Sequence, residues 1–178
     1  FSEIAPSSLK KAAEIHHVAA VQSEYSLSVR SPELGLVQAT KQLGTALVAF
    51  SPLGRSLLTD RPHTTQKIAT MGFLKNNPRF IEPNLSANIQ ATAKFRALAE
   101  EMGTSAAALS IAWLLHQSEH IIAIPGTRSV PHFLEHCAGA RLSLSKETIA
   151  QIESVLPVGW AHGDRYSQQQ WIGPERYC

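Results

Sequence analysis

Two glycine-bearing turns, each following directly on a short apolar run, constrain this chain more than any other feature. Ala46–Phe50 (ALVAF) leads into Ser51–Leu58 (SPLGRSLL), and Ile121–Ile124 (IIAI) leads into the segment Ile124–Arg128 (IPGTR). Apolar runs this short, without alternation, read as fully buried parallel strands. A glycine-bearing turn just past the carboxyl end of such a strand is where α/β proteins hold phosphates, because its backbone N–H groups can point inward unobstructed. Two such turns suggest two ends of one phosphorylated ligand. The chain reads as half of a nucleotide site.

Composition narrows the class. With 178 residues, 44% of them hydrophobic, the chain can bury a substantial core as one domain or part of one. A formal net charge of +2, with Lys and Arg scattered, argues against a nucleic-acid partner. No apolar run approaches the roughly 18 residues of a membrane helix. Cys137 and Cys178 form no CxxC pair, so a reduced, cytoplasmic setting is expected. The chain has no initiator Met and no signal-peptide pattern, and it starts as if at the end of a strand, which suggests a fragment.

Along the chain, strand and helix alternate, implying parallel pairing with right-handed crossovers. Pro6 opens a helix that includes the periodic stretch Leu9–Ile15, and Val18–Gln22 is a short strand. Pro32–Leu43 is helical in pattern and stops at Gly44, and Thr45–Phe50 is the second strand. Ala87–Met102 ends at Gly103, Thr104 caps Ser105–Gln117, and Ile121–Ile124 is the third strand. Pro131–Ala138 and Lys146–Val155, the latter capped by Ser145, complete the set. Residues 61–84, with no clean period, form a long loop over the ligand face, and residues 157–178 form an irregular tail.

In the first turn, Pro52 fixes its own φ, Gly54 admits close backbone approach, and Arg55 suits a phosphate; an ordinary strand-to-loop turn is the bland alternative. In the second, the start of helix Pro131–Ala138 would stabilise an anion beside Thr127, Arg128 and Ser129, and Glu135 could accept from an exocyclic amino group. A plain βα loop with a surface Arg and Glu competes with that reading. His132, His136 and Cys137 lack a third ligand at metal spacing, so no metal is assigned. Trp113, at helical spacing from Leu109, reads as core. Gln22 ends its strand where an amide can hold another amide, while Glu24 and Tyr25 read as rim or packing residues. Phe50 offers a flat apolar face to a ring. No Ser-His-Asp arrangement, P-loop or GxGxxG occurs.

In order, VQSEYSL, VAFSPLGRSLLT and IPGTRSVPHFLEHCAGA resemble the aldo-keto reductase superfamily, closest to its bacterial and plant branch with the SPLGR loop. The likeness extends over nearly the whole chain, including the GDRY segment of the tail. It implies a partial (β/α)8 TIM barrel, comprising the last three strands and the end of a fourth with their helices, that binds NADPH at its C-terminal face. By resemblance, Ser2 and Gln22 hold the nicotinamide carboxamide and Phe50 stacks on its ring. Ser51, Pro52, Leu53, Gly54 and Arg55 surround the pyrophosphate. Gly126, Thr127, Arg128 and Ser129 cradle the ribose and its 2′-phosphate, with His132 nearby, and Glu135 contacts adenine.

Departures mark the limits of the likeness. His136 stands where the family has an adenine-contacting Asn. Ser56 and Asp60 replace common glycines, so Ser56 restricts the turn and Asp60 would repel pyrophosphate if it pointed inward. Glu3 fits the family's Asn or Glu. Family catalysis uses Tyr, Lys, Asp and His from the first four strands, upstream of this chain, so no catalytic residue is assigned here. The resemblance implies the C-terminal half of an NADPH-dependent enzyme reducing aldehydes or ketones, inactive unless complemented by an N-terminal half; the expected partners are a carbonyl substrate and that missing half or a homo-oligomer. The alternatives are a non-catalytic nucleotide-binding regulator, like the potassium-channel β subunits of the superfamily, and a truncated product that binds nothing.

Overall fold

The structure is a computed structural model and describes residues 1–175; Cys178, with the end of the tail, lies outside the described residues. Three strands, β1 (Ala20–Glu24), β2 (Ala46–Phe50) and β3 (Ile121–Ile124), form a parallel sheet in the order β1-β2-β3. Ser2 adds an isolated parallel bridge to Gln22, outside the three named strands. The register sets Gln22 beside Val48 and Val48 beside Ile122, with Glu24 beside Phe50 and Phe50 beside Ile124.

The strands are not buried on both faces. Val21, Leu47, Ala49 and Ile121 join the main core, whereas Gln22 is exposed and Ile122 and Ile124 remain 51% and 42% exposed. Side chains alternate across a strand, and among the described residues helices cover one face only. The apolar runs therefore mark strands correctly but overstate their burial.

The helices are α1 (Pro6–Ile15), α2 (Leu36–Gln42), α3 (Thr65–Ala69), α4 (Asn84–Ala91), α5 (Ala93–Glu101), α6 (Ala106–His116), α7 (Val130–Arg141) and α8 (Lys146–Val155). Helix α6 is buried from Ala106 through Leu114, and Trp113 packs edge-on to Tyr25 at 5.8 Å, so Trp113 is core as expected. Ser105, rather than Thr104, caps α6: its side chain accepts from the Ala108 amide. Ser145 caps α8 in the same way.

Two expected single helices are divided. Gly35, at φ +146°, separates a 3-10 turn over Ser31–Leu34 from α2. Thr92 separates α4 from α5, with its hydroxyl donating back to the Asn88 and Ile89 carbonyls at 3.0 and 3.1 Å. Such back-bonding competes with the helical ladder and bends it. The segment 61–84 is more ordered than its composition predicts. It contains α3 and two 3-10 turns, and Leu57, Ile68, Leu74, Phe80 and Leu85 form a second small core beneath it.

Helices α6 and α7 cross closely because Gly139 has no side chain: a Cβ there would lie 2.5 Å from the Ala108 carbonyl oxygen. That contact lies in the last turns of α7 and sets how closely it crosses α6.

Candidate functional site

Local sequence shapes the first turn into an unusual conformation. Ser51, Gly54, Arg55 and Ser56 all have positive φ, at 51°, 55°, 55° and 92°. Only glycine adopts this region freely, so Ser56 holds a glycine-like conformation under strain, as its substitution for glycine implied. A Cβ at Gly54 would also stand 2.9 Å from Ser28 Oγ, so that hydroxyl would have to shift. The amides of Gly54, Ser56, Leu57 and Leu58 bond to carbonyls within the turn, so of the residues expected around the pyrophosphate Gly54 has its N–H already satisfied.

The second turn is looser. The Ser129 amide donates to Thr127 Oγ1 at 3.1 Å, and Ser129 provides α7 with no side-chain cap. Gly126, Thr127 and Arg128 are exposed. The first amides of α7 carry the partial positive charge of the helix start.

A single cavity of about 1700 Å³ joins the two turns. Ser51, Pro52, Leu53 and Arg55 line it on one side, and Gly126, Thr127, His132, Glu135 and His136 on the other. Gly54 lies buried behind its turn, and Arg128 and Ser129 stand outside the lining. Ser2, Gln22 and Phe50 share the open face of the sheet instead, brought together by the bridge and the strand register.

Arg55 lines the cavity and is also paired inside the fold. Its Nε and NH2 donate to the two Glu24 carboxylate oxygens at 3.2 and 3.0 Å, and its guanidinium lies 4.4 Å from the Phe73 ring centre. A carboxylate in bidentate contact is a stronger partner than solvent, so part of the Arg55 donor set is held by Glu24. Arg165 Nε and the Tyr166 hydroxyl also donate to Glu24 Oε2, at 2.8 and 3.2 Å. Glu24 is thus a buried hub rather than a rim residue. Burial pushes its carboxyl up, but the hydrogen bond and charge of Arg55, followed by those of Arg165, outweigh this and hold it below its ordinary value.

Glu3 is likewise consumed inside the fold. Its Oε1 accepts from Ser23 Oγ at 3.1 Å and the Glu24 amide at 2.8 Å, and its Oε2 pairs with Arg165 at 2.6 Å. Arg165 in turn lies 5.9 Å from the centre of the Phe50 ring, placing part of the tail beside that face. Asp60 Oδ1 accepts from the Ala106 amide at 3.0 Å and helps cap α6, while the residue also lines the cavity, where its carboxylate faces the same space as an incoming anion. Tyr25 is fully buried, donating to Glu33 Oε1 at 2.9 Å, which is the packing role its sequence position suggested.

His136 is 7% exposed, and its Nδ1 is buried without a hydrogen-bond partner. Burial lowers its pKa, with Glu135 opposing and His132 reinforcing, so the ring is neutral near pH 7. An unpartnered nitrogen is less costly as a bare acceptor than as an N–H, which favours the proton on Nε2. Among the described residues no group of three His, Cys, Asp or Glu could hold a metal, and no helix is long and apolar enough to cross a membrane.

The profile of the Aldo/keto reductase family matches residues 1–157. The chain is 32% identical over 165 residues to Probable aldo-keto reductase 1 of Glycine max, covering 93% of this chain and 47% of that one. It is 30% identical over 168 residues to Aldo-keto reductase yakc [NADP(+)] of Schizosaccharomyces pombe, covering 93% and 49%. The solved glycerol dehydrogenase AKR11B4 of Gluconobacter oxydans superposes with a TM-score of 0.72 at 24% identity, covering 87% of this chain and 47% of that one. The chain therefore spans about half the length of the curated relatives it matches.

Proposed function

Because this chain belongs to the aldo/keto reductase family, we propose that it is the cofactor-holding, C-terminal portion of an NADPH-dependent reductase of aldehydes or ketones. The supporting observation is the one cavity shared by Ser51–Arg55 and Gly126–His136, since a dinucleotide needs both turns on one continuous surface. A relative of similar sequence carries NADP(+) in its name.

On this reading the sheet is part of a (β/α)8 barrel, and its open face belongs to the barrel interior. NADPH supplies a hydride, and the residues of this chain bind and orient it. Ser2 and Gln22 face the carboxamide, Phe50 the nicotinamide ring, and the strained Ser51–Ser56 turn the pyrophosphate. Thr127 and the uncapped start of α7, with Arg128, Ser129 and His132 around it, suit the phosphorylated ribose. Glu135 accepts from the adenine amino group, and His136 offers its Nε2 proton to a ring nitrogen.

On this reading the family's Tyr, Lys, Asp and His set comes from residues other than these 178, and carbonyl reduction draws on them. An N-terminal half, or an assembly of copies, would cover the open sheet face, and a cytoplasmic setting is part of the same proposal. NADPH oxidation with a panel of aldehydes and ketones tests it. No turnover is expected from the purified chain alone, and turnover is expected from the full reading frame that contains it. Turnover by the chain alone contradicts the half-site account.

A further inference from the structure

A cavity that receives phosphate gains from a fixed cation, and Arg55 is already committed to Glu24. Arg128 is exposed and outside the lining, and Arg61 lines the cavity but is exposed at the surface. Arg96 differs from all of these. It stands in the first turns of α5, half-buried, and lines the cavity together with His132, Glu135 and His136.

Its guanidinium is anchored at two points. NH1 donates to Thr92 Oγ1 and NH2 donates to the Ile89 carbonyl, each at 2.7 Å. A guanidinium has five N–H donors, so about three stay available after these two bonds. Asp60, which lines the same cavity, is the acidic group that acts on it, and Asp60 Oδ1 accepts from the α6 amide of Ala106. None of the salt bridges among the described residues includes Arg96. The break between α4 and α5 thus holds a charged fork in place through neutral acceptors, with Asp60 acting on it from a distance rather than through a salt bridge.

We propose that Arg96 is the pre-positioned cation of this cavity and that it binds a phosphate group of the nucleotide. The proposal rests on the nucleotide reading given above and adds a residue that neither turn contains. An anchored guanidinium loses little freedom when an anion arrives, and its planar fork matches two phosphate oxygens. The side chain is partly desolvated by folding itself, so that cost does not fall on binding.

NADPH binding to the purified chain, followed by quenching of tryptophan fluorescence across a salt series, tests the assignment. Arg96→Met is expected to weaken binding about tenfold and to reduce the salt slope by about one. Arg96→Lys, which keeps the charge but not the fork, should recover part of the affinity. Arg96→Gln retains a donor for Thr92 and replaces the Met variant if that one does not fold. The same titrations with NADH identify the phosphate. A loss confined to NADPH assigns Arg96 to the 2′-phosphate, a loss with both assigns it to the diphosphate, and each supports the proposal. Unchanged NADPH affinity and salt slope in a folded neutral variant overturn it while leaving the nucleotide reading intact. Failure of the wild-type chain to bind NADPH overturns both.

Discussion

Arg165 Nε donates to Glu24 Oε2 at 2.8 Å, joining residues 141 positions apart. The same oxygen accepts from Arg55 NH2 at 3.0 Å, while Arg165 NH2 reaches Glu3 Oε2 at 2.6 Å. One carboxylate with a side chain only 3% exposed therefore ties the first turn, the end of β1 and the tail together. The ligand face is shaped by a charge junction inside the fold.

Removing that charge should be expensive. Glu24→Gln leaves Arg55 and Arg165 buried with only Glu3 to offset them, and breaking a buried pair from one side costs about 3–5 kcal/mol. Urea denaturation of the variant against wild type measures the loss. A change under about 1 kcal/mol, the range of surface pairs, would show that the junction is solvated.

The same carboxyl sets an acid limit. Its pKa is lowered in the folded chain, so its contribution is complete above the ordinary carboxylate range and is lost as pH falls through the folded value. Stability measured from pH 7 downward should decline below the ordinary range for wild type, and less steeply for Glu24→Gln. Parallel curves would assign the acid sensitivity to other groups.

Tyrosine titration should be delayed. Burial and then the charge of Glu33 push the Tyr25 hydroxyl far up, and burial and Glu24 raise that of Tyr166. A folded pKa above the unfolded one stabilises below about pH 10 and loses that contribution as pH rises further. The phenolate absorbance of Tyr25 and Tyr166 should therefore appear only with alkaline unfolding. A rise from Tyr25 in the folded chain, identified by its absence in Tyr25→Phe, would contradict the burial.

Gly139→Ala tests the α6–α7 crossing. Its Cβ would meet the Ala108 backbone at 2.5–3.0 Å, where no flexible side chain can yield. Overpacking of this kind costs about 1–3 kcal/mol, and displacement of α7 should weaken nucleotide binding as well. Unaltered melting and binding would mean that the helices separate freely.

The sequence displays what is local. The two turns, the caps of α8 and the stop at Gly44 are carried by residues adjacent to the elements they govern. The division at Thr92 was hidden because Thr is tolerated in helices and only its hydroxyl geometry reveals the break. The pairing of Arg55 with Glu24 is hidden because the two lie 31 residues apart, and Arg165 is farther still. Arg96 carries no turn signal at all, and only the folded cavity brings it toward His132 and Glu135. Long-range charge pairing has no periodicity to betray it.

Hydrogen exchange on the purified chain during an NADPH titration tests most directly whether the two turns hold one ligand. Amides in residues 51–61 and 124–136 should gain protection together, with the same concentration dependence. Protection of one segment alone, or of neither at saturating NADPH, would contradict the account.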